Sequence, residues 1–362
     1  MASLRREARD AGLWAHPVLP NPYSEKLNNL EFSACAEIMG RLPWAPAVFN
    51  CQPPDLPNMI MLSEAANSKQ KEEWLNPLLT GDIRSAFAMT EPDVASSDAR
   101  NISLRIIKVD QGYLLNGRKW YISGAGHQDC ELLIVIGALE GAGSRRHCCL
   151  LVPAKADGVT VVRKQGFMGW EDHCAPIAEL TFENVLVNKS ALVGAEGEGF
   201  SVAQCRLGPA RIQHAMRAIG LGETLIELMV ARSAGRAAFG RQISEFDTVQ
   251  GWIAQSRVKL EQSRLLVQKA AWKLDREDHS SVWKDVSYAK IAVAQSVHWI
   301  ADHALQCFGA AGGSEDWPIH GALAWARAFR VFDGPDEVHL RQIYKAESKS
   351  ENPDVLFEYG LA

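Results

Sequence analysis

Five groups of residues carry side chains that could do chemistry. His147-Cys148-Cys149 joins an imidazole to two thiols, donors that a zinc ion accepts. Glycines gather at 194, 197 and 199 and again at 309, 312 and 313, as they do in loops that cradle phosphates. Asp333 and Asp336 stand just ahead of the apolar-periodic Val338 and Leu340, where a carboxylate can cap a helix; Asp336 is the better placed of the two. Arg211 and Arg236 lie in helical stretches, either as solvated charges or as planar forks for an anion. Trp120-Tyr121 sets two aromatic rings in a strand-like run, where the simplest role is core packing.

The elements around these residues narrow the choices. Neighbours in a strand point to opposite faces, and none of the eight cysteines forms a C-x-x-C pair, so ordinary packing outweighs a metal site for His147-Cys148-Cys149. The first glycine cluster lies beyond the strand region and the second follows a helix, so neither has the strand–turn–helix setting of a dinucleotide fingerprint. No phosphate loop of the G-x-x-x-x-G-K-[ST] type and no G-x-S-x-G elbow is present. A nucleotide cofactor would have to bind without the common phosphate loops.

A chain of 362 residues, 47% of them hydrophobic, exceeds the ~250–300 at which single cores stop growing, so two or three sub-domains are expected. Residues 1–84 read as helices: Leu30 to Met39 is apolar at helical spacing behind Asn29 as cap, and the prolines of Asn50 to Pro57 mark a loop. Ser63 to Leu79 suggests a helix with a solvated face, and Gly81-Asp82 a break. Residues 85–192 carry short apolar runs at Ile102–Val109, Tyr113–Leu115, Lys119–Ile122, Leu132–Gly137, Cys149–Val152, Val159–Val162 and Ala178–Phe182. Asp110-Gln-Gly112 and Asn116-Gly117 read as hairpin turns between them. With no helices interposed, these predict a small antiparallel barrel or sandwich rather than a parallel sheet. Residues 193–362 are helical again. Ile253, Leu260, Val267 and Leu274 recur every seven residues, and Val258, Leu265 and Trp272 form a second row on the same helix. Two such rows predict a four-helix bundle that packs on another subunit. The predicted class is α+β: helical domain, antiparallel β-domain, helical-bundle domain.

Four segments in this order on this layout carry a family resemblance. They are Phe87-Ala-Met-Thr-Glu-Pro-Asp-Val-Ala-Ser-Ser-Asp98, Arg118-Lys-Trp-Tyr-Ile-Ser-Gly124, Arg236-Ala-Ala-Phe-Gly240, and the stretch from Gln306-Cys-Phe-Gly-Ala-Ala-Gly312 to Phe332-Asp-Gly-Pro-Asp-Glu337. The chain resembles the acyl-CoA dehydrogenase family over nearly its whole length. Within it, the wording is similar to a branch of bacterial single-domain enzymes and eukaryotic proteins fused to a kinase-like domain. The resemblance implies FAD as cofactor and an acyl-CoA thioester as substrate, whose α-proton goes to a carboxylate while the β-hydrogen leaves as hydride to flavin N5. The family's usual Glu is matched by Asp333, one methylene shorter, as this branch has it; a dry pocket is expected to raise its pKa towards working pH.

The same resemblance assigns the remaining site residues. Phe87, Met89, Thr90, Ser96 and Ser97 look like the flavin-side wall, with Ser97 also near the thioester. Tyr121, Ile122 and Ser123 match the family's Trp-Ile-Thr segment beside the flavin ring. Arg236 and Phe239 match the segment that meets the flavin pyrophosphate from a neighbouring subunit. Gln306, Cys307, Gly309 and Ala310 match Gln-x-x-Gly-Gly, with Ala in place of the second Gly. Pro335, Asp336 and Glu337 match positions that touch FAD. Gly208, Pro209, Ala210 and Arg211 match the acyl-CoA channel, and Gly334 sits beside the base. Three departures stand out: Ala324-Trp325 replaces the usual Arg-Asp, Phe246-Asp247 the usual Phe-Gln, and the first family helix looks short.

These readings predict an oxidoreductase of fatty acid or related lipid metabolism, a flavoprotein that forms a homodimer or homotetramer, with an electron-transfer flavoprotein as electron acceptor. Elimination from a 4-substituted acyl-CoA and a non-catalytic flavin- or CoA-binding scaffold are the alternatives. With 38 basic and 43 acidic residues, a net charge of −5, nucleic acid is not expected as a partner. No apolar run reaches the ~18–20 residues of a membrane span, Met1 to Trp14 lacks a signal core, and Gly360-Leu361-Ala362 is not a peroxisomal address. A reducing, intracellular setting is expected, the cytoplasm first.

Overall fold

A computed structural model describes residues 1–16, 23–143 and 146–348; the last stretch of the third predicted domain, including Gly360-Leu361-Ala362, lies outside the described residues. The first helices are α1 (Ala2–Asp10), α2 (Asn29–Gly40), α3 (Ala45–Val48), α4 (Asp55–Ala65), α5 (Ser68–Gln70) and α6 (Asn76–Thr80). The cap of α2 is Asn28, one residue before the expected Asn29. Its side chain accepts from Glu31 N at 2.8 Å while the Glu31 carboxylate accepts from Asn28 N at 2.9 Å, a reciprocal box. Asn29 instead ties α2 to the bundle, its N and Nδ2 each 2.8 Å from Asp275 Oδ1. The proline-rich loop is shorter than expected, because α4 starts at Asp55 and Pro57 sits in its first turn, where no backbone N–H is needed. Gly81 ends α6 in the left-handed conformation, φ +74°.

The strands are β1 (Arg84–Ala88), β2 (Arg105–Val109), β3 (Gly112–Ile122), β4 (Cys130–Leu139), β5 (His147–Pro153), β6 (Val159–Gln165), β7 (Ile177–Asn188) and β8 (Leu192–Val193). They form one sheet in the order β6-β7-β3-β2-β4-β5-β8, with β1 beside β4. The turn at Asp110 joins antiparallel β2 and β3 as predicted. Asn116-Gly117 makes no hairpin: β3 runs through it with a register shift, and Asn116 Oδ1 accepts from Asn184 N at 2.8 Å across to β7. The pairings of β4 with β1 and with β2 are parallel. Alternation along β4 and β5 feeds two cores. Ile134, Ile136, Cys149 and Leu151 pack with the helices; Leu133, Val135, Cys148 and Leu150 pack within the β-region. Cys148 and Cys149 therefore face opposite ways.

The second helical region holds α7 (Gly199–Gly235), the short strands β9 (Ala237–Ala238) and β10 (Arg241–Gln242), then α8 (Asp247–Leu274), α9 (His279–Phe308), α10 (Ile319–Phe329) and α11 (Asp336–Glu347). Helix α2 crosses α7 so closely that a Cβ on Gly220 would lie 1.9 Å from the Glu37 carbonyl oxygen. Of the two apolar rows on α8, Leu260, Val267 and Leu274 are buried, whereas Val258, Leu265 and Trp272 face outwards at 56%, 66% and 44% exposure. Among the described residues no helix is long and apolar enough to cross a membrane.

Candidate active site

The turn between α10 and α11 presents Asp333. Asp333 (φ +56°) and Gly334 (φ +95°) both take left-handed backbone, which Gly adopts freely and Asp tolerates better than most residues. Main-chain carbonyls anchor the turn. Arg211 Nε donates to the Asp333 oxygen at 2.8 Å, and Lys290 Nζ donates to the Gly334 oxygen at 2.7 Å. His339 Nε2 lies 3.2 Å from the Asp333 oxygen, and its Nδ1 lies 3.0 Å from Ser287 Oγ. A carbonyl only accepts, so Nε2 carries the hydrogen and the Ser287 hydroxyl donates to Nδ1. Burial holds the His339 ring neutral, its pKa pushed down to about 4, with Arg211 and Lys290 adding to the effect.

Asp336 is not the cap that the sequence suggests. The cap position of α11 is Pro335, and the buried Asp336 carboxylate takes Arg330 Nε at 2.8 Å and Lys290 Nζ at 3.4 Å. Two cations of the bundle compete for that carboxylate more strongly than backbone amides do. Glu337 is exposed and Pro335 half-buried.

The Asp333 side chain is only 11% exposed, and its Oδ2 lies 2.8 Å from His214 Nδ1 on α7. An aromatic wall of Phe329, Phe332 and Trp325 stands beside it, with the Phe329 and Phe332 rings 5.3 Å apart. The expectation of a raised pKa is reversed. Burial opposes ionisation most strongly, but His214, Arg206 and Arg211 together override it and hold the carboxyl well below the ordinary carboxylate range. The dry pocket is real; the cations lining it decide the sign.

Arg206 is buried on α7 and joins the bundle to the β-region. Its Nε donates to Asn58 Oδ1 at 2.7 Å, and its guanidinium lies 4.3 Å from the centre of the Phe87 ring. Asn58 Nδ2 in turn donates to Ser85 Oγ at 2.9 Å, fixing α4 against β1. Burial brings the Arg206 pKa down to about 10, with Asp333 opposing.

In the β-region, the segment 89–98 is docked on β3. Trp120 N donates to the Thr90 oxygen at 3.0 Å. Beneath it Lys119, fully buried, donates to Glu91 Oε1, the Met89 oxygen and the Ile136 oxygen at 2.7–2.8 Å. Glu91 also accepts from Ser103 N, Ser103 Oγ and Leu104 N at 2.5–2.9 Å. Thr90 and Ser97 stay exposed, and Met89 is half-buried. Ser96 turns inwards, where its Oγ accepts from Glu91 N at 2.9 Å, so it serves the loop. Tyr121 has φ +51°, its N donates to Gln165 Oε1 at 2.9 Å, and its ring is 42% exposed beside Trp120. Ile122 points into the β-region core and Ser123 is half-buried.

The channel residues Gly208 and Arg211 lie half-buried on α7, with Ala210 buried and its carbonyl accepting from His214 Nδ1 at 2.9 Å; the side chain of Pro209 lies outside the described residues. The other predicted contacts collect elsewhere. Arg236, Phe239 (97% exposed), Gln306, Gly309 and Ala310 lie exposed at the far end of α7 and α9, and Cys307 is buried against Met229. Arg211 and Arg236 are 25 positions apart (236 minus 211), about 37 Å along a helix rising about 1.5 Å per residue. Sequence reasoning missed His214, Arg206, Lys119 and Lys290. The first two had a signal, since both fall within one or two turns of Arg211 on the same helix; Lys119 showed only as the second of two basic residues in a strand.

A three-part chain with a buried carboxylate between bundle and β-region defines a class, and the sequence matches that class directly. It fits the acyl-CoA dehydrogenase middle domain over residues 86–185 and the acyl-CoA dehydrogenase C-terminal domain over residues 197–347. The chain belongs to the acyl-CoA dehydrogenase family. It is 44% identical over 354 residues to a probable acyl-CoA dehydrogenase, FadE2, of Mycobacterium tuberculosis, covering 96% of this chain and 85% of that protein. It is 41% identical to acyl-CoA dehydrogenase family member 11 of Mus musculus, over 96% of this chain but only 45% of the mouse protein. The solved structure of a putative acyl-CoA dehydrogenase from Mycobacterium abscessus superposes with a TM-score of 0.92 at 42% identity, covering 96% of this chain and 86% of that one.

Proposed function

We propose that this chain is an FAD-dependent acyl-CoA dehydrogenase in which Asp333 removes the α-proton of an acyl thioester. The observation that carries the reading is the placement of Asp333: a buried carboxylate held ionised, on a turn anchored through its backbone and not through its charge. An ionised carboxylate is the form a base must have. Bound FAD supplies the acceptor for the hydrogen that leaves the β-carbon. The residues the family resemblance assigns to the flavin side fit such a group: the exposed hydroxyls of Thr90 and Ser97 can donate to its polar edge, and the half-exposed Tyr121 ring offers an aromatic face.

Arg236 and Gln306, too far along the bundle to reach the same cofactor, would meet the FAD of a second copy. The outward row Val258, Leu265 and Trp272 supports a homodimer or homotetramer that covers it. An electron-transfer flavoprotein is the proposed acceptor. A second reading draws on Arg206, Arg211 and Arg217, whose charges all act on Asp333. They outnumber the two carboxylates that act on them, Asp333 and Asp172, which favours an acyl chain with an electronegative substituent and hence elimination from a 4-substituted acyl-CoA.

The test is an absorbance scan of the purified protein followed by anaerobic addition of a panel of acyl-CoA thioesters. Bleaching of a yellow protein with formation of enoyl-CoA is expected. A rearranged product with the flavin still oxidised moves the assignment to elimination, and a colourless protein, or one unmoved by every thioester, refutes the enzyme reading.

A further inference from the structure

His214 stands on α7 one turn beyond Ala210 and three residues beyond Arg211. Its Nδ1 is 2.9 Å from the Ala210 oxygen and 2.8 Å from Asp333 Oδ2. The carbonyl can only accept, so Nδ1 carries a hydrogen directed at it, and Oδ2 lies against the same ring edge without a hydrogen bond of its own. The ring is fixed on its other sides by Phe332, 5.0 Å between centres, and Phe329, 6.1 Å. Oδ2 is sealed from solvent, and its one close polar neighbour is this ring; Oδ1 is not sealed.

The anchors of the α10–α11 turn leave the carboxylate itself unclaimed. Arg211 and His339 take the Asp333 carbonyl, and Lys290 takes the next one. Nothing on that list restricts rotation about the Asp333 Cα–Cβ bond. A short base, lacking the extra methylene of Glu, tolerates little misdirection towards the α-carbon.

We propose that His214 is a positioning residue for Asp333: its polar ring edge, 2.8 Å from Oδ2, holds that oxygen against α7 and thereby turns Oδ1 towards the substrate. The proposal rests on the reading of Asp333 as the base. The other charged groups that face the pair are Arg206, Arg211 and Arg217 from α7, Lys290 from α9, and His339 and Asp336 from α11. All of them persist when His214 is replaced, so loss of His214 removes direction while much of the charge environment stays.

The experiment uses the flavin-loaded protein with the most active thioester and compares H214L, H214N and D333N. H214L is expected to keep its flavin and its half-saturating thioester concentration and to lose about 100-fold in the limiting rate of flavin bleaching, the scale of a misplaced reacting group. The acidic limb of its pH profile should move upwards, because a polar neighbour that favours the ionised form is gone. In H214N the amide can place an N–H where Nδ1 was, so most of the rate and the wild-type limb should return. H214L with wild-type rate and limb overturns the proposal, and so does H214N as slow as H214L with equal flavin content. Should H214L lose flavin, H214N is compared with H214Q, whose amide reaches the Nε2 position instead; Asn must outperform Gln, and the reverse overturns the assignment. An inactive D333N beside a fast H214L condemns His214 alone, whereas an active D333N removes the base and this proposal together.

Discussion

Two buried ion pairs, one in the β-region and one in the bundle, use the same chemistry to opposite ends. In the β-region Lys119 and Glu91 are both sealed, at 0% and 2% side-chain exposure, and nearly every polar atom is spoken for: three acceptors surround the ammonium and four donors the carboxylate. In the bundle Asp333 and His214 are each 11% exposed, yet the buried carboxylate oxygen Oδ2 has the His214 ring 2.8 Å away and no hydrogen bond of its own. A fully satisfied buried pair fixes a loop and can do little else. A pair left partly unsatisfied is costly for folding and holds an oxygen in reserve for a ligand. The Lys119–Glu91 pair is thus built as scaffold, and Asp333, under the function proposed above, as a reagent.

The comparison breaks most sharply at Asp333. D333N should lose turnover by about 10³-fold, roughly 4 kcal/mol of barrier, while its flavin content stays that of wild type. The opposite pattern is expected for K119M. Leaving Glu91 buried without its cation should cost about 3–5 kcal/mol of stability, and the double variant K119M/E91Q should recover a large part of that. Chemical denaturation of the three proteins checks both halves. A K119M that melts like wild type but turns over slowly would mean that the Lys119–Glu91 pair is part of the reaction and not of the frame.

Much of the frame was legible in the sequence because it rests on periodicity. The α–β–α order, the strands within 85–192 and the two rows of α8 follow from apolar spacing, and Gly81 ends its helix as a glycine should. The site was legible only as motifs. Asp333 was found through the resemblance of its segment, while the electrostatics around it were not, because Arg206 and His214 reach it from helix α7, more than 100 residues earlier in the chain, and only the crossing of helices brings them together. Asp336 was misread as a cap for the same reason: its real partners, Lys290 and Arg330, come from α9 and from the end of α10. Asn116-Gly117 carried a valid local turn signal that the sheet overrode by pairing β3 with β7 along its whole length.

Acid should separate the two regions next. Glu91 and Asp333 both have lowered pKa values, so their stabilising contributions are complete above the ordinary carboxylate range and fade only below it. His339 behaves otherwise, with a folded-state pKa of about 4 against an ordinary 6.5. Above pH 6.5 it is neutral in both states and contributes nothing to the pH dependence. Between 6.5 and 4 the unfolded chain takes a proton that the folded one refuses, so stability falls as pH drops, by up to about 3 kcal/mol once the folded pKa is passed. H339Q should start less stable, having lost its bond to the Asp333 carbonyl, but its melting temperature should decline less over that window. An equal decline in both proteins would place the acid sensitivity in other groups, such as His127, His147 or His298, whose pKa values burial also lowers.

The smallest effect is expected one bond further out. Ser287 touches no ligand position; its hydroxyl satisfies His339 Nδ1, which lets Nε2 keep its hydrogen for the Asp333 carbonyl. S287A should cost about 1 kcal/mol, the scale of one buried hydrogen bond, with turnover within about twofold of wild type. A drop in turnover well beyond that, at unchanged stability, would mean that the tautomer of His339 sets the geometry of the turn and not merely its strength. The line between scaffold and reagent would then run through the α10–α11 turn itself, with Ser287 on the reagent side.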